Sequence, residues 1–224
     1  MPNELLFLAS ALLDISFVFV AARIGPEWLF GAIAANLIMI GIFGAKLVAF
    51  FGFVTNAGNI FYACVFLATY FLLERGGEGV AWKTIFFGSS FVLFFAGMSQ
   101  LAVQFSGVAT SAVANDAIAT LFMFSPRIIV GSVIAYMFAQ YVNIAIYKWL
   151  ARQTHGRYLW LRSNAANAAS QLVDSSLFFT IAFFDLPGAL LVQTILIGWA
   201  AKILVVSMGT PVLYLDAYLR AKKV

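Results

Sequence analysis

The sequence predicts an all-α polytopic membrane protein, a bundle of six to seven transmembrane helices, and three observations carry that expectation. Hydrophobic residues make up 63% of the 224-residue chain and charged residues only 10%, whereas a soluble domain averages about a quarter charged. The apolar residues fall in runs that approach or exceed the roughly 20 residues a helix needs to cross a hydrocarbon core. Short turn-forming stretches separate several of them, as at Gly25-Pro26, Gly76-Gly77-Glu78-Gly79 and Leu186-Pro187-Gly188. The mean hydropathy of +0.98 belongs to the same class.

Taken in order, the expected spans are 5–22, 28–53, 57–73, 84–104, 128–147, 168–184 and 188–208. The third, fourth and fifth contain no Asp, Glu, Lys or Arg; the others hold one each, Asp14, Lys46, Asp174 and Lys202. Residues 106–125 are only mildly apolar, include Asn115 and Asp116, and read as an interfacial or re-entrant helix. No soluble domain or low-complexity stretch stands out, so residues 1–224 read as one membrane domain. The first apolar run has no basic residues ahead of it and no clear small-residue cleavage site, unlike a removable signal.

Orientation follows from the basic residues. Lys148, Arg152, Arg157 and Arg162 lie between the fifth and sixth spans, and Arg220, Lys222 and Lys223 in the tail. Placing both groups in the cytoplasm also puts Arg23, Arg75 and Lys83 there, leaving Arg127 outside and Lys46 and Lys202 within helices. Seven spans with the N-terminus outside and the C-terminus inside result. If 5–22 lies on the membrane surface, six spans remain with both ends inside.

Several function classes are excluded. A single Cys (Cys64) permits no internal disulfide, and with a single His (His155) there is no metal-ligand spacing. No glycine-rich phosphate loop is present, so neither catalysis nor a cofactor is expected. The net charge of +4 reads as loop charge on a membrane protein, not as a nucleic-acid surface.

The informative residues are polar ones inside apolar runs, because an ionisable group at mid-bilayer costs about 2.5–3.5 kcal/mol on insertion scales. Asp174 is expected about 15 Å above the cytoplasmic start of its helix, with Gln171 on the same face. Lys202, roughly 9 Å above the cytoplasmic boundary on the next helix, can reach toward it. The pair reads either as a structural ion pair cancelling two costs or as a substrate or proton site. Converging amides favour the second. Tyr136, Gln140, Asn143 and Tyr147 form one stripe, Gln100 and Gln104 lie one turn apart, and Asn56, Asn59 and Tyr62 open the third span. Interhelical hydrogen bonds explain any one amide; an amide-rich cavity explains the set. Asp14 marks a further site or pairs with a neighbouring helix. Lys46 is expected late in its helix, snorkelling outward.

Four ordered stretches over about residues 36–216 resemble the queuosine precursor transporter family, also called the VUT or vitamin uptake family. They are Thr55-Asn56-Ala57-Gly58-Asn59-Ile60-Phe61-Tyr62 through Phe66-Leu67-Ala68-Thr69 to Glu74-Arg75-Gly76-Gly77; Pro126-Arg127-Ile128 with Gly131-Ser132, Ala135-Tyr136 and Gln140; Leu159-Trp160-Leu161-Arg162-Ser163-Asn164 with Ser170-Gln171-Leu172-Val173-Asp174-Ser175; and Lys202 with Gly209-Thr210-Pro211-Val212-Leu213-Tyr214-Leu215. The resemblance implies import of a planar purine-like base, 7-cyano-7-deazaguanine or 7-aminomethyl-7-deazaguanine, for tRNA queuosine salvage across a prokaryotic cell membrane. Asp174, Gln171, Gln140, Asn143, Lys202, Asn59, Tyr62 and Gln100 are then the candidate substrate-binding residues. The chain departs from the family pattern at Tyr70 and Asn143, where acids are usual, and near Ala166-Asn167, where a Ser-Thr pair is usual. Asn143 keeps hydrogen bonds but cannot carry a proton. Two other roles compete, a substrate-capture subunit of an ATP-driven vitamin importer and a non-transporting membrane scaffold. Oligomerisation has no support in the sequence.

Overall fold

The structure, a computed structural model, describes residues 2–44, 46–50, 52–123, 126–182, 184–185 and 187–222. Its elements are α1 (Asn3–Ile24), α2 (Pro26–Phe43), β1 (Leu47–Phe50), β2 (Phe53–Asn56), α3 (Asn59–Gln104), a 3-10 turn (Ala109–Ser111), α4 (Ala112–Phe122), α5 (Pro126–Gln153), α6 (Leu159–Ala182) and α7 (Gly188–Ala221). The all-α bundle expected from the sequence is what forms.

α1 buries Phe7, Ala11, Asp14, Ile15, Val18, Ala21 and Ala22, a stripe at helical spacing, and exposes Leu5, Leu6, Leu12, Leu13 and Phe17 on its other side. An outward apolar face of that size belongs against lipid. Pro26 occupies the first turn of α2, where its missing N–H costs nothing. The first arm of α3 behaves differently. Ala63 through Leu72 are all buried, and a helix apolar all round and buried all round is the axis of its bundle. α1, α2, α5 and α7 pack around it.

The long α3 is broken within its range. Gly77 has φ 70° and ψ −167°, a positive-φ conformation open chiefly to glycine. Residues 59–76 and 78–104 are therefore two arms, matching two of the expected spans. The second arm approaches α5 closely. A Cβ at Gly88 would overlap the Tyr136 hydroxyl, which donates to the Thr84 carbonyl at 3.0 Å. α5 and α6 form the most extensive helix pair.

Three expectations need correction. The second span does not run to residue 53: α2 ends at Phe43, and Leu47–Phe50 pairs antiparallel with Phe53–Asn56 in a hairpin. Gly44 closes the helix through its N–H to the Ile40 carbonyl, Gly52 takes φ 81° in the turn, and the two strands include the β-branched or aromatic Val48, Phe50, Phe53, Val54 and Thr55. Lys46 accordingly lies beyond the helix, exposed, rather than late within it. The sixth helix begins at Leu159 instead of 168 and so includes Arg162, while the seventh continues past residue 208 and through Pro211 to Ala221.

Among the described residues, five helices are long and apolar enough to cross a membrane by length and composition: α1, α2, α3, the 127–153 portion of α5, and α7. α6 falls outside that group. At 24 residues it is about 36 Å long, but its buried face carries Arg162, Ser163, Asn167, Ser170, Gln171, Asp174 and Ser175. α4 is short and buries nothing, as an interfacial segment should.

Candidate functional site

The polar face of α6 meets α3, α5 and α7 inside the bundle. Asp174 stands 15 residues into α6, about 22 Å from its start, further along than the expected 15 Å because the helix begins at Leu159. Lys202 of α7 brings its Nζ to 2.5 Å from Asp174 Oδ2 and 3.4 Å from Ser175 Oγ. The Tyr62 hydroxyl of α3 donates to Asp174 Oδ1, and Lys202 Nζ sits 4.5 Å from the Tyr62 ring centroid. The carboxylate and ammonium are 4% and 7% exposed. Each desolvation cost is met by the opposite charge, and the phenol satisfies the remaining carboxylate oxygen.

Toward the start of α6 the cluster becomes neutral. Gln171 Nε2 donates to Asn167 Oδ1 at 3.3 Å, and Gln140 Nε2 donates to Thr69 Oγ1 at 3.3 Å. The Tyr70 hydroxyl lies 2.7 Å from Asn143 Oδ1 and 2.9 Å from the Ser163 carbonyl, with its ring stacked on Tyr147 at 5.1 Å. Tyr70 and Asn143, two positions at which the chain departs from the family pattern, therefore touch each other as a neutral pair.

These amides are only half used. Gln140 Oε1, Asn143 Nδ2, Asn167 Nδ2 and Gln171 Oε1 are buried and make no hydrogen bond among the described residues. A buried polar atom left in that state costs about 1–3 kcal/mol, so a set of four calls for a reason. Two acceptors and two donors, inside the bundle with Gln171 one turn from the paired carboxylate, offer hydrogen bonds to a polar molecule that presents both kinds of group.

Of the other sequence candidates, Asn59 is buried one turn before Tyr62. Asn56 ends β2, and its side chain lies outside the described residues. Gln100 is held elsewhere: its amide donates to the Phe122 carbonyl and ties α4 to the second arm of α3. Asp14 also lies apart, hydrogen-bonded to Asn36 of α2. Asn167 and Thr69 were not among the candidates. Asn167 carries a readable signal, since it precedes Gln171 by one helical turn on the face of Asp174; Thr69 carries none in an apolar run.

A charged lock at one end of the bundle is a further feature that the sequence did not announce. Asp216, 0% exposed, accepts from the Arg75 guanidinium and lies 3.5 Å from Arg23 Nη1 and 3.0 Å from Arg220 Nε. Glu74 Oε1 accepts from Arg162 at 2.9 Å and Tyr147 at 2.8 Å, and Arg220 also donates to the Glu74 carbonyl at 3.1 Å. Just beyond, Lys148 and the Trp82 indole N–H hold the exposed Glu78 carboxyl below the usual carboxylate range. Thus Arg23, Arg75, Lys148, Arg162 and Arg220 gather at one end. Arg127 pairs with Asp185, at 3.4 Å, where α5 begins and α6 ends. Lys223 lies outside the described residues.

The comparisons with known proteins agree with this architecture. Residues 56–215 match the family described as "Putative vitamin uptake transporter". The chain is 32% identical over 181 residues to the "Probable queuosine precursor transporter" of Bacillus subtilis (strain 168), covering 78% of this chain and 76% of that protein. No solved structure matches. A membrane bundle with its polar groups turned inward, matched by the family model from the start of the α3 axis to the last turns of α7, belongs to the vitamin uptake (VUT) family of multi-pass membrane transporters.

Proposed function

We propose that this transporter imports a 7-deazaguanine base, such as 7-cyano-7-deazaguanine or 7-aminomethyl-7-deazaguanine, as a queuosine precursor for tRNA salvage. The observation that carries the reading is the set of four unspent amide atoms inside the bundle, on α5 and α6, of which Gln171 Oε1 lies one helical turn from Asp174. A deazaguanine offers an N1–H and an exocyclic amine to acceptors, and O6 to a donor, along one planar edge. Gln171 Oε1, Gln140 Oε1 and the Asp174 carboxylate are the acceptors, Asn143 and Asn167 the donors. Tyr62, whose hydroxyl reaches Asp174, supplies an aromatic face for the bicycle. A site that strands its own polar groups without the ligand discriminates strongly against analogues lacking the matching groups. The name carried by the Bacillus subtilis relative supports the same substrate class.

The orientation follows from charge. The end holding Arg23, Arg75, Lys148, Arg162 and Arg220 faces the cytoplasm, and the Arg127–Asp185 end faces out. With the two arms of α3 as separate passes and α6 as another, the chain crosses a prokaryotic cell membrane seven times as one domain, C-terminus inside.

The test is uptake of labelled 7-cyano-7-deazaguanine by the purified chain in lipid vesicles without ATP, competed by 7-aminomethyl-7-deazaguanine and by vitamins. Saturable uptake blocked by the second base and abolished by Asp174→Asn is expected. Uptake that requires a separate ATPase, or that vitamins compete and deazaguanines do not, replaces this reading with that of a vitamin-importer subunit.

A further inference from the structure

A second buried carboxylate lies outside this site and outside the residues matched by the family model. Asp14 sits 11 residues after the first residue of α1, about 16 Å along a helix of roughly 33 Å. It is 8% exposed. Among the described residues it has no Lys, Arg or His within ion-pair distance, unlike Asp174, Asp185, Asp216, Glu74 and Glu78. The elements packed against α1 supply few charges near it. α2 presents Asn36, and α3 presents the Cys64 thiol beside the carboxylate. The nearest ion pair on α1, Arg23 with Asp216 of α7, is nine residues further along, about 13 Å. At the other end Asn3 is bonded to the β1 backbone at Ala49.

The hydrogen bonding of the pair is half finished in a specific way. Asn36 Nδ2 donates to Asp14 Oδ1 at 3.2 Å and to the Ala32 carbonyl at 3.0 Å, which uses both of its protons. Asp14 Oδ2 and Asn36 Oδ1 are both buried and unbonded among the described residues. Both are acceptors. No donor on the amide remains to join them; apart from the weak S–H of Cys64 beside the carboxylate, the donor they lack is a proton on Oδ2. A carboxylic acid and a carboxamide close a ring of two hydrogen bonds, N–H to carbonyl one way and O–H to carbonyl the other. The first bond is present, and a proton on Oδ2 adds an O–H donor to a pair that otherwise holds two unbonded acceptors.

We propose that the Asp14–Asn36 pair is a proton-binding site, distinct from the Asp174 site, through which a pH gradient drives transport. Binding adds one proton to Oδ2 and cancels the carboxylate charge in the apolar interior. Release returns an unpaired charge to the apolar interior, so it requires a conformation that brings water or a cation to Asp14. A metal ion fits poorly. Only three oxygens converge, fewer than the six to eight that calcium takes or the six of octahedral magnesium, and the remaining neighbour is a thiol.

Infrared titration of the full chain in lipid vesicles tests the site without any transported substrate. A carboxylic-acid carbonyl band that shifts in heavy water and disappears in Asp14→Asn is expected near neutral pH. Asn36→Leu should move the band by removing the amide partner, and this second variant decides the matter should Asp14→Asn fail to fold. A spectrum in which neither variant alters any carboxylic-acid band overturns the proposal. Coupling is read separately, from accumulation of labelled 7-cyano-7-deazaguanine under an imposed pH gradient. Wild-type accumulation lost in Asp14→Asn is expected; accumulation insensitive to the gradient, or equal in the variant, removes the coupling role. Failure of this base to enter wild-type vesicles counts against the proposed substrate, and the infrared result still decides the proton site.

Discussion

Asp174 and Asp14 are both carboxylates near the middle of long helices, and the bundle treats them in opposite ways. Around Asp174 it assembles a cation from α7 and a phenol from α3, with the Ser175 hydroxyl of α6 on the cation. Around Asp14 it places one amide and one thiol. The contrast separates two physical solutions to the same cost. A charge can stay in a low-dielectric interior if an opposite charge comes with it, or the group can become neutral. Asp216 is a third case, in which three guanidiniums share one fully buried carboxylate. The first solution keeps a fixed charge inside the bundle, and the second makes a group sensitive to pH.

Substitutions can break or sharpen this comparison. The largest effect is expected at Asp174. Truncating one partner of a buried, hydrogen-bonded charge pair costs about 2–5 kcal/mol, so Asp174→Asn should lower vesicle uptake by about 30-fold or more. It should also destabilise the protein by leaving Lys202 alone. Asp174→Asn combined with Lys202→Met should recover thermal stability in detergent while uptake stays lost; recovery of both would make the pair purely structural.

Asp216→Asn comes next, with an expected loss of about 2 kcal/mol of stability. That is below the 3–5 kcal/mol of a fully buried pair, because Arg23, Arg75 and Arg220 are partly exposed. A thermal denaturation series at rising salt measures it, and an unchanged midpoint would show that the lock holds nothing together.

Gln171→Leu should separate binding from stability. It removes one buried, unbonded oxygen but strands Asn167 Oδ1, which accepts from Gln171 Nε2, so stability should change by no more than about 1 kcal/mol while the apparent affinity for the base falls. Equal losses in both readouts would make Gln171 a packing residue. The smallest change is expected in the stability of Asp14→Asn, within about 1 kcal/mol, since interhelical hydrogen bonds in membranes average about 0.6 kcal/mol. A loss as large as that of Asp174→Asn would mean that Asp14 is ionised and paired, and the comparison would fail.

The sequence by itself determined the class, the helix count within one, and the residues most worth asking about. Its composition leaves no alternative to lipid, and a polar residue in an apolar run announces itself without any structure. The ion pair of Asp174 with Lys202 was legible because both lie deep in adjacent helices. What only the tertiary structure decided were partnerships between residues far apart in the chain: Tyr62 on Asp174, Tyr70 on Asn143, Asn36 on Asp14, and the arginines of α1, α3 and α7 on Asp216. It also removed Gln100 from the site and turned 47–56 into a hairpin, because local apolarity does not distinguish a membrane strand from the end of a helix. The physical reason is common to all of these. Hydropathy acts residue by residue and is written along the chain, whereas a hydrogen bond or an ion pair exists only once two helices have packed at a particular rotation.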